Sequence, residues 1–359
     1  MALKDYLQQH NVVDMIKQSA PVDVSAPYNP DNVSGNTVVI TGGASGFGAA
    51  FARRWASHGA NVIIGDINDT GGQKLVAELR ASTGSQDHHY QHCDVRDWQS
   101  QVSLFQAAAR LSVSGGIDAV VANAGIRDMT PAATGLGFEN PYGLDIERPP
   151  PPELKVLDVN LTGVMYTTHL ALFWLAWNDP ARDRHLLLLG SVASFLPLSG
   201  QVLYGTSKHA VMGLFRTLRG SSWRQGVRIN MVCPYFADTA IVPNSGHSLV
   251  AGCGLAAVPD VVDAATRLMA DKSIVGRALV IGPRLRIQEG REGEVGLVAP
   301  GTAEDGKPIW ECYAHDYESV EIFSKQYLRL LNTLVWMRGW AGWFKDMARI
   351  WVWKKDRTA

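Results

Sequence analysis

The chain has 359 residues, of which 46% are hydrophobic and 19% charged, and its formal net charge is −1. That length suits one large α/β domain with appendages or two smaller domains, and the near balance of acids and bases points to no nucleic-acid or polyanion partner. The four cysteines, Cys93, Cys233, Cys253 and Cys312, lack C-x-x-C spacing, which disfavours a zinc site and a disulfide framework and leaves reduced, intracellular thiols as the expectation.

The opening stretch MALKDYLQQHNVVDMIKQ has an amphipathic helical pattern without the apolar core of a secretory signal, and no uninterrupted run of 18 apolar residues occurs anywhere. A cytoplasmic protein is expected. Residues 1–34, ending in the Pro/Asn-rich APYNPDNVSG, read as a helical arm leading to the first strand. From Thr37 on, apolar strand-like runs alternate with helical stretches: NTVVITGG, GAAFARRWASHG, NVIIGDI, GGQKLVAELRAS, HYQHCDV, WQSQVSLFQAAARL and IDAVVANAG. After a Gly/Pro-rich insertion from Arg127 to Pro152 the alternation resumes through ELKVLDVNLTGVMYTTHLALFWLAW, RHLLLLGSVAS, SKHAVMGLFRTLR, VRINMVCP and ALVIG. Continuous apolar strands separated by helices predict a doubly wound, Rossmann-type α/β fold, a parallel sheet of about seven strands with helices on both faces. The expected organisation is an arm over 1–34, a catalytic domain over 35–289 and a Trp-rich helical extension over 290–359.

Gly42, Gly46 and Gly48 lie between the strand VVI and the helix AAFARRWA, where missing side chains let the backbone approach a pyrophosphate at a helix N-terminus. Asp66 ends the second strand, eighteen residues after Gly48, placed to accept hydrogen bonds from adenosine ribose hydroxyls. Its charge would repel a 2′-phosphate, and no Arg or Lys follows in INDTGG, so NAD is expected over NADP. Further along, Tyr204 and Lys208 stand four apart, thirteen residues after Ser191, and at helical pitch they share a face. A neighbouring cation favours an ionised acid, so Lys208 is expected to draw the Tyr204 phenol below its reference pKa of roughly 10, into range for acid–base work.

Over about residues 35–289 the chain resembles the short-chain dehydrogenase/reductase family. The resemblance rests on TGGASGFG from Thr41, CDV at 93–95, NAG at 123–125, Asn160 in DVNLTG, Ser191, Tyr204 with Lys208, and PYFADT at 234–239. Locally, GSVASFLPLSGQVLYGTSKH also resembles the NAD-dependent 15-hydroxyprostaglandin dehydrogenases. The resemblance implies a cofactor site from Gly42, Ser45, Gly46, Phe47, Gly48 and Asp66; an adenine pocket from Asp94 and Val95; and a central cleft lined by Asn123, Ala124 and Gly125. It implies that Ala237 and Thr239 hold the carboxamide, that Asn160, Ser191, Tyr204 and Lys208 form the proton relay and substrate contact, and that the protein is a homodimer or homotetramer. Asp94 could instead be a turn acid, and Asn123 could simply tie down a strand end. One departure stands out: the family has Pro-Gly after the sixth strand, where this chain has Pro234-Tyr235, which suggests an altered turn or an aromatic ring facing substrate.

The segment from Ile241 to Val258, rich in Gly, Ser and small apolar residues, suits either a lid or a connector. Phe138 and Tyr142 in the insertion favour an apolar, aromatic or polycyclic alcohol or ketone as substrate. In the extension Trp336, Trp340, Trp343, Met347 and Trp351 recur on one helical stripe. Three readings stay open for it: packing against the parent domain or a partner subunit, peripheral membrane contact with Lys345, Arg349, Lys354 and Lys355 at the headgroups, or a cap over the pocket. The expected function is NAD(H)-dependent hydride transfer to or from an alcohol or ketone; the alternative is a non-catalytic binding or scaffolding protein acting through its extension.

Overall fold

A computed structural model describes residues 15–128, 138, 151–239, 254–289, 295–298, 306–313 and most of 326–340. Gln18–Ala314 form one compact unit, and Met1–Lys17 with His315–Ala359 form another.

The larger unit is built on strands β1 (Thr37–Thr41), β2 (Asn61–Asp66), β3 (His89–His92), β4 (Ala119–Ala122), β5 (His185–Leu189), β6 (Arg228–Pro234), β7 (Ala278–Glu289), β8 (Val295–Val298) and β9 (Lys307–Cys312). Its helices are α1 (Gly46–Ser57), α2 (Asp69–Thr83), α3 (Trp98–Leu111), α4 (Lys155–Leu157), α5 (Val164–Trp177), α6 (Val202–Leu218) and α7 (Val258–Ala270), with a π-helical segment, Asp158–Gly163, joining α4 to α5. The strand order is β3-β2-β1-β4-β5-β6-β7, with every adjacent pair parallel. This is the doubly wound α/β sheet that the alternating pattern predicts. Every residue of β1, β4, β5 and β6 is buried, which is why β4, β5 and the middle of β1 read as apolar runs.

Two apolar layers cover the sheet. On one face Phe51, Trp55, Leu75, Leu79, Ala264 and Leu268 bring α1, α2 and α7 onto the strands. On the other, Leu104, Phe105, Ala171, Leu175, Val211 and Phe215 bring α3, α5 and α6. Local chemistry sets the helix ends: Asn68 caps α2 by accepting from Gly71 N at 2.9 Å, Gly84 ends it at φ 75, and Asp97 caps α3 through Gln99 N.

The sheet extends past residue 289. β9 pairs antiparallel with the first half of β7, and β8 pairs antiparallel with its second half, so two strands come from the segment expected to hold only a helical extension. The arm is likewise tied into the sheet domain from Gln18 onward. Ser19 N donates to Val275 O at 3.0 Å, Val22 N to Glu311 Oε2 at 2.9 Å and Tyr28 Oη to Asp263 Oδ1 at 2.6 Å, while the Arg267 guanidinium lies 4.6 Å from the Tyr28 ring. In the smaller unit the described residues between 326 and 340 are helical, with the Trp336 and Trp340 rings edge-on at 5.6 Å. Trp343, Met347 and Trp351 of the expected stripe lie outside the described residues, as do Tyr142, Cys253 and all of the 240–253 segment. Among the described residues no helix is long and apolar enough to cross a membrane.

One buried ion pair closes the bottom of the sheet. Arg228 donates to Asp183 through Nε at 2.7 Å and Nη2 at 2.6 Å, and the same guanidinium reaches Leu268 O and Met269 O at the end of α7. Removing one partner of such a pair strands the other charge without water, at a cost of roughly 3–5 kcal/mol. Asp183→Ala should therefore lower the unfolding free energy by about that amount in denaturant titrations.

Candidate active site

The sheet reverses its winding between β1 and β4, the place where open α/β sheets take ligands at their strand C-termini. The glycine loop lies there. Gly42 has φ +64, and a Cβ on it would meet Ala124 Cα at 2.7 Å; a Cβ on Gly48 would meet Gly42 O at 2.5 Å and Asn123 Nδ2 at 2.6 Å. Neither position admits a side chain, because loop, helix and β4 touch backbone to backbone. Gly46 differs, with φ +53 and open space where its Cβ would be. Ser45 starts α1 in extended conformation without a side-chain cap bond, and Phe47 turns its ring toward Phe51 at 6.3 Å, so this turn offers the crevice mainly backbone. An uncapped helix start with open space in front fits a pyrophosphate.

Asp66 holds the loop from the next strand: Oδ2 accepts from Ala44 N and Oδ1 from Asn68 N, both at 2.9 Å. Asp94 is paired with Arg96, Nη2 to Oδ2 at 2.7 Å, and the guanidinium keeps its carboxyl below the usual range. Val95 is buried, its carbonyl accepting from Gln101 Nε2 at 2.6 Å; the same amide reaches Gly163 O, and Gln101 Oε1 accepts from Thr167 Oγ1. Asn123 donates through Nδ2 to Thr41 O at 2.9 Å and Gly42 O at 2.8 Å, which makes its side chain a tie between the ends of β1 and β4. A Cβ on Gly125 would stand 3.4 Å from Asn160 Oδ1 and 3.8 Å from Lys208 Nζ, so the central cleft and the polar cluster adjoin.

That cluster gathers the end of β5, the π-helical segment and α6. Ser191 opens a short turn after β5, its hydroxyl accepting from Ala193 N at 3.2 Å and donating to Pro234 O at 3.5 Å, near enough to the Tyr204 phenol to act on its ionisation. Lys208 is buried, donates from Nζ to Leu189 O at 2.9 Å and lies 5.7 Å from the centre of the Tyr204 ring. Asn160 is fully buried: Oδ1 accepts from Ile126 N at 2.8 Å, and Nδ2 donates to Ile126 O at 2.7 Å and Ser207 Oγ at 3.2 Å. The π-helical turn around it belongs to a class of helix insertion that recurs at functional sites.

The electrostatics correct one expectation. The Tyr204 phenol is shifted up, not down: burial raises it, and the nearby Ser191 hydroxyl only partly opposes that. Burial also pushes Lys208 down, to about 8. Desolvation penalises both charged forms, and the two groups share a site too dry for the simple cation-beside-acid argument to win.

Ala237 is buried and bridges to Ala256, while Thr239 is half-buried at the edge of the described residues. Tyr235 N donates to Ile281 O at 2.7 Å and its ring packs on the α1/α7 layer, edge-on to Phe236 at 5.0 Å. Two further residues touch the Tyr204 backbone: Ser207 Oγ donates to Tyr204 O at 2.7 Å, and Asp128 Oδ2 accepts from Tyr204 N at 3.1 Å. The i, i+3 spacing of Ser207 could have suggested the first. Nothing local suggests the second, across 76 positions.

A parallel sheet with a glycine-lined crevice at its switch point and a Ser–Tyr–Lys cluster beside it defines a dinucleotide-dependent oxidoreductase. The chain belongs to the short chain dehydrogenase family, whose model matches residues 36–249. It is 35% identical to 5'-hydroxyaverantin dehydrogenase of Dothistroma septosporum over 70% of this chain and 85% of that one. It is 33% identical to NADP-dependent dehydrogenase M3 of a Phoma species over 74% and 80%, and 28% identical to 15-hydroxyprostaglandin dehydrogenase [NAD(+)] of Mus musculus over 59% and 71%. Among solved structures, the 3-ketoacyl-(acyl-carrier-protein) reductase of Brucella melitensis, complexed with NADH, superposes with TM-score 0.58 at 23% identity, covering 69% of this chain and 97% of that one.

Burying the Lys208 ammonium costs stability. A lysine held near 8 against an ordinary 10.5 is disfavoured by a few kcal/mol, on the order of 1.4 kcal/mol per pH unit. The cost is fully present below about pH 8 and vanishes as pH rises toward 10.5, where the unfolded lysine also loses its proton. Lys208→Met should raise the melting temperature of the cofactor-free protein at pH 7, and the gain should shrink on moving to pH 10; equal gains at both pH values would show that charge burial is not the cause.

Proposed function

We propose that the chain is an NAD(H)-dependent dehydrogenase that moves a hydride between the cofactor and a secondary alcohol or ketone, with Tyr204 as the acid–base group. The observation that carries this is the gathering of Ser191, Tyr204 and the buried Lys208, whose Nζ lies 5.7 Å from the centre of the Tyr204 ring. When bound, the nicotinamide cofactor accepts or returns the hydride and, in its oxidised form, adds a positive charge to the cleft. In oxidation the Tyr204 oxygen takes the proton of the substrate hydroxyl, and in reduction it returns one. Ser191 steadies the substrate oxygen as charge grows on it, a contribution whose loss in other enzymes costs on the order of 10²- to 10³-fold. From Tyr204 the proton would pass by way of the cofactor ribose hydroxyl and Lys208 to a water held by Asn160.

Gly42, Ser45, Gly46, Phe47 and Gly48 would hold the pyrophosphate, Asp94 and Val95 the adenine, Asn123 to Gly125 the cleft floor, and Ala237 and Thr239 the carboxamide. The Asp66 carboxylate beside the Ala44 amide supports NAD, since a 2′-phosphate there would meet like charge. NADP-dependent dehydrogenases among the relatives make cofactor choice the point to test. Relatives named for hydroxyaverantin and hydroxyprostaglandin support an apolar or polycyclic alcohol as substrate. The homo-oligomer reading is supported by α5, whose Met165, Phe173 and Trp177 are 47%, 56% and 77% exposed. The exposed Trp336 and Trp340, followed by Lys345, Arg349, Lys354 and Lys355, support peripheral membrane contact.

A panel of secondary alcohols assayed with NAD and with NADP should give faster reduction of NAD; preference for NADP would overturn the Asp66 argument. Tyr204→Phe should bind cofactor normally and lose turnover by at least about 10²-fold, the scale of a lost acid–base group. Near-normal turnover in that variant sinks the catalytic reading and leaves the scaffolding alternative. Anionic vesicles should sediment the full-length chain and not one ending at residue 314; equal sedimentation removes the membrane reading.

A further inference from the structure

Tyr204 is the third residue of α6, where a helix N–H has no carbonyl within the helix to donate to. Such a group is ordinarily met by the side chain of the residue that starts the helix. Here Gln201 supplies no side-chain cap, and the first turn carries no acidic residue. The partner comes from another part of the chain: Asp128 Oδ2, 3.1 Å from Tyr204 N. A carboxylate at this end of a helix also meets the positive pole of its dipole.

Asp128 is itself held. Two residues before it, the Asn160 amide clamps both backbone groups of Ile126, at 2.8 and 2.7 Å. From the same amide the chain of bonds runs on to Ser207 Oγ at 3.2 Å, and Ser207 donates to Tyr204 O at 2.7 Å. The circuit closes. The backbone N–H of Tyr204 is fixed by Asp128 and its C=O by Ser207, and both anchors trace back to one buried amide on the π-helical turn.

We propose that Asp128 is a positioning residue of the active site: its carboxylate, by holding the Tyr204 backbone N–H, fixes the first turn of α6 so that the phenol stays in reach of Ser191 and of the substrate oxygen. This rests on the reading of Tyr204 as the acid–base group. Small errors in the placement of a reacting group are costly, so a missing anchor should appear in turnover and not in cofactor binding.

The test compares full-length Asp128→Ala, Asp128→Asn and wild type, with NAD and the fastest alcohol of the panel, alongside amide hydrogen exchange across 202–206. Asn keeps an oxygen acceptor of the same shape, and Ala keeps none. Asp128→Ala should lower kcat about tenfold with KM for NAD within about twofold, and Tyr204 amide protection should fall. Asp128→Asn should recover most of both. The proposal is overturned if Asp128→Ala keeps normal kcat, if protection falls without a change in kcat, or if Asp128→Asn is as impaired as Asp128→Ala. A wild type inactive on every alcohol, with Tyr204→Phe indistinguishable from it, defeats the dehydrogenase reading instead; exchange at the Tyr204 amide still decides whether Asp128 is its anchor.

Discussion

The site depends on one ammonium group placed where water cannot reach it. Lys208 donates to the Leu189 carbonyl at the last residue of β5, and that bond ties α6 to the sheet edge from which Ser191 projects. Because Ser191 follows β5 by two residues and Tyr204 precedes Lys208 by one helical turn, fixing the lysine brings the hydroxyl and the phenol together. The arrangement is costly when the cofactor is absent: burial disfavours charge on both Tyr204 and Lys208. A site held against its own ionisation preference gains most from a ligand that restores polar partners, which links folding stability to cofactor occupancy.

Much of the fold is written in the chain because parallel strands buried on both faces cannot hide their composition. TVVIT, AVVA and HLLLL are apolar at every position or nearly so, and each is fully buried. Gly42 and Gly48 are legible for a related reason, since only glycine survives backbone contact that close. The parts that escape a linear reading are those where remote segments meet. KPIWEC in β9 has no neighbouring helix to mark a βαβ unit, because it joins β7 antiparallel. Asn123 offers two sequence readings, cleft residue or strand tie, and its tie partners, the Thr41 and Gly42 carbonyls some eighty positions away, appear only once the chain is folded. The upward shift of Tyr204 is likewise a product of tertiary burial, which a four-residue spacing cannot contain.

Polar groups elsewhere follow the same economy of pairing. Arg228 with Asp183, Arg182 with Asp118 at 2.6 Å and Arg277 with Glu311 at 3.2 Å each place a guanidinium against a buried or nearly buried carboxylate. The Glu311 carboxylate also accepts from Val22 N of the arm, so the arm, the residue leading into β7 and β9 are fastened at one carboxylate. Segments far apart in sequence are thus joined by a few directional contacts, while the apolar layers supply most of the driving force.

The π-helical turn at Asp158–Gly163 has a consequence for how this protein can vary. A π turn amounts to one extra residue in an α-helix, and each residue carries the helix around by about 100°. The turn takes up that residue by widening, so α5 keeps its phase, with Thr167 on Gln101 and Leu175 in its layer. One residue fewer between Val156 and Val164 would straighten the turn to α and leave α5 in register, so the change would fall on the wall of the turn where Asn160 clamps Ile126.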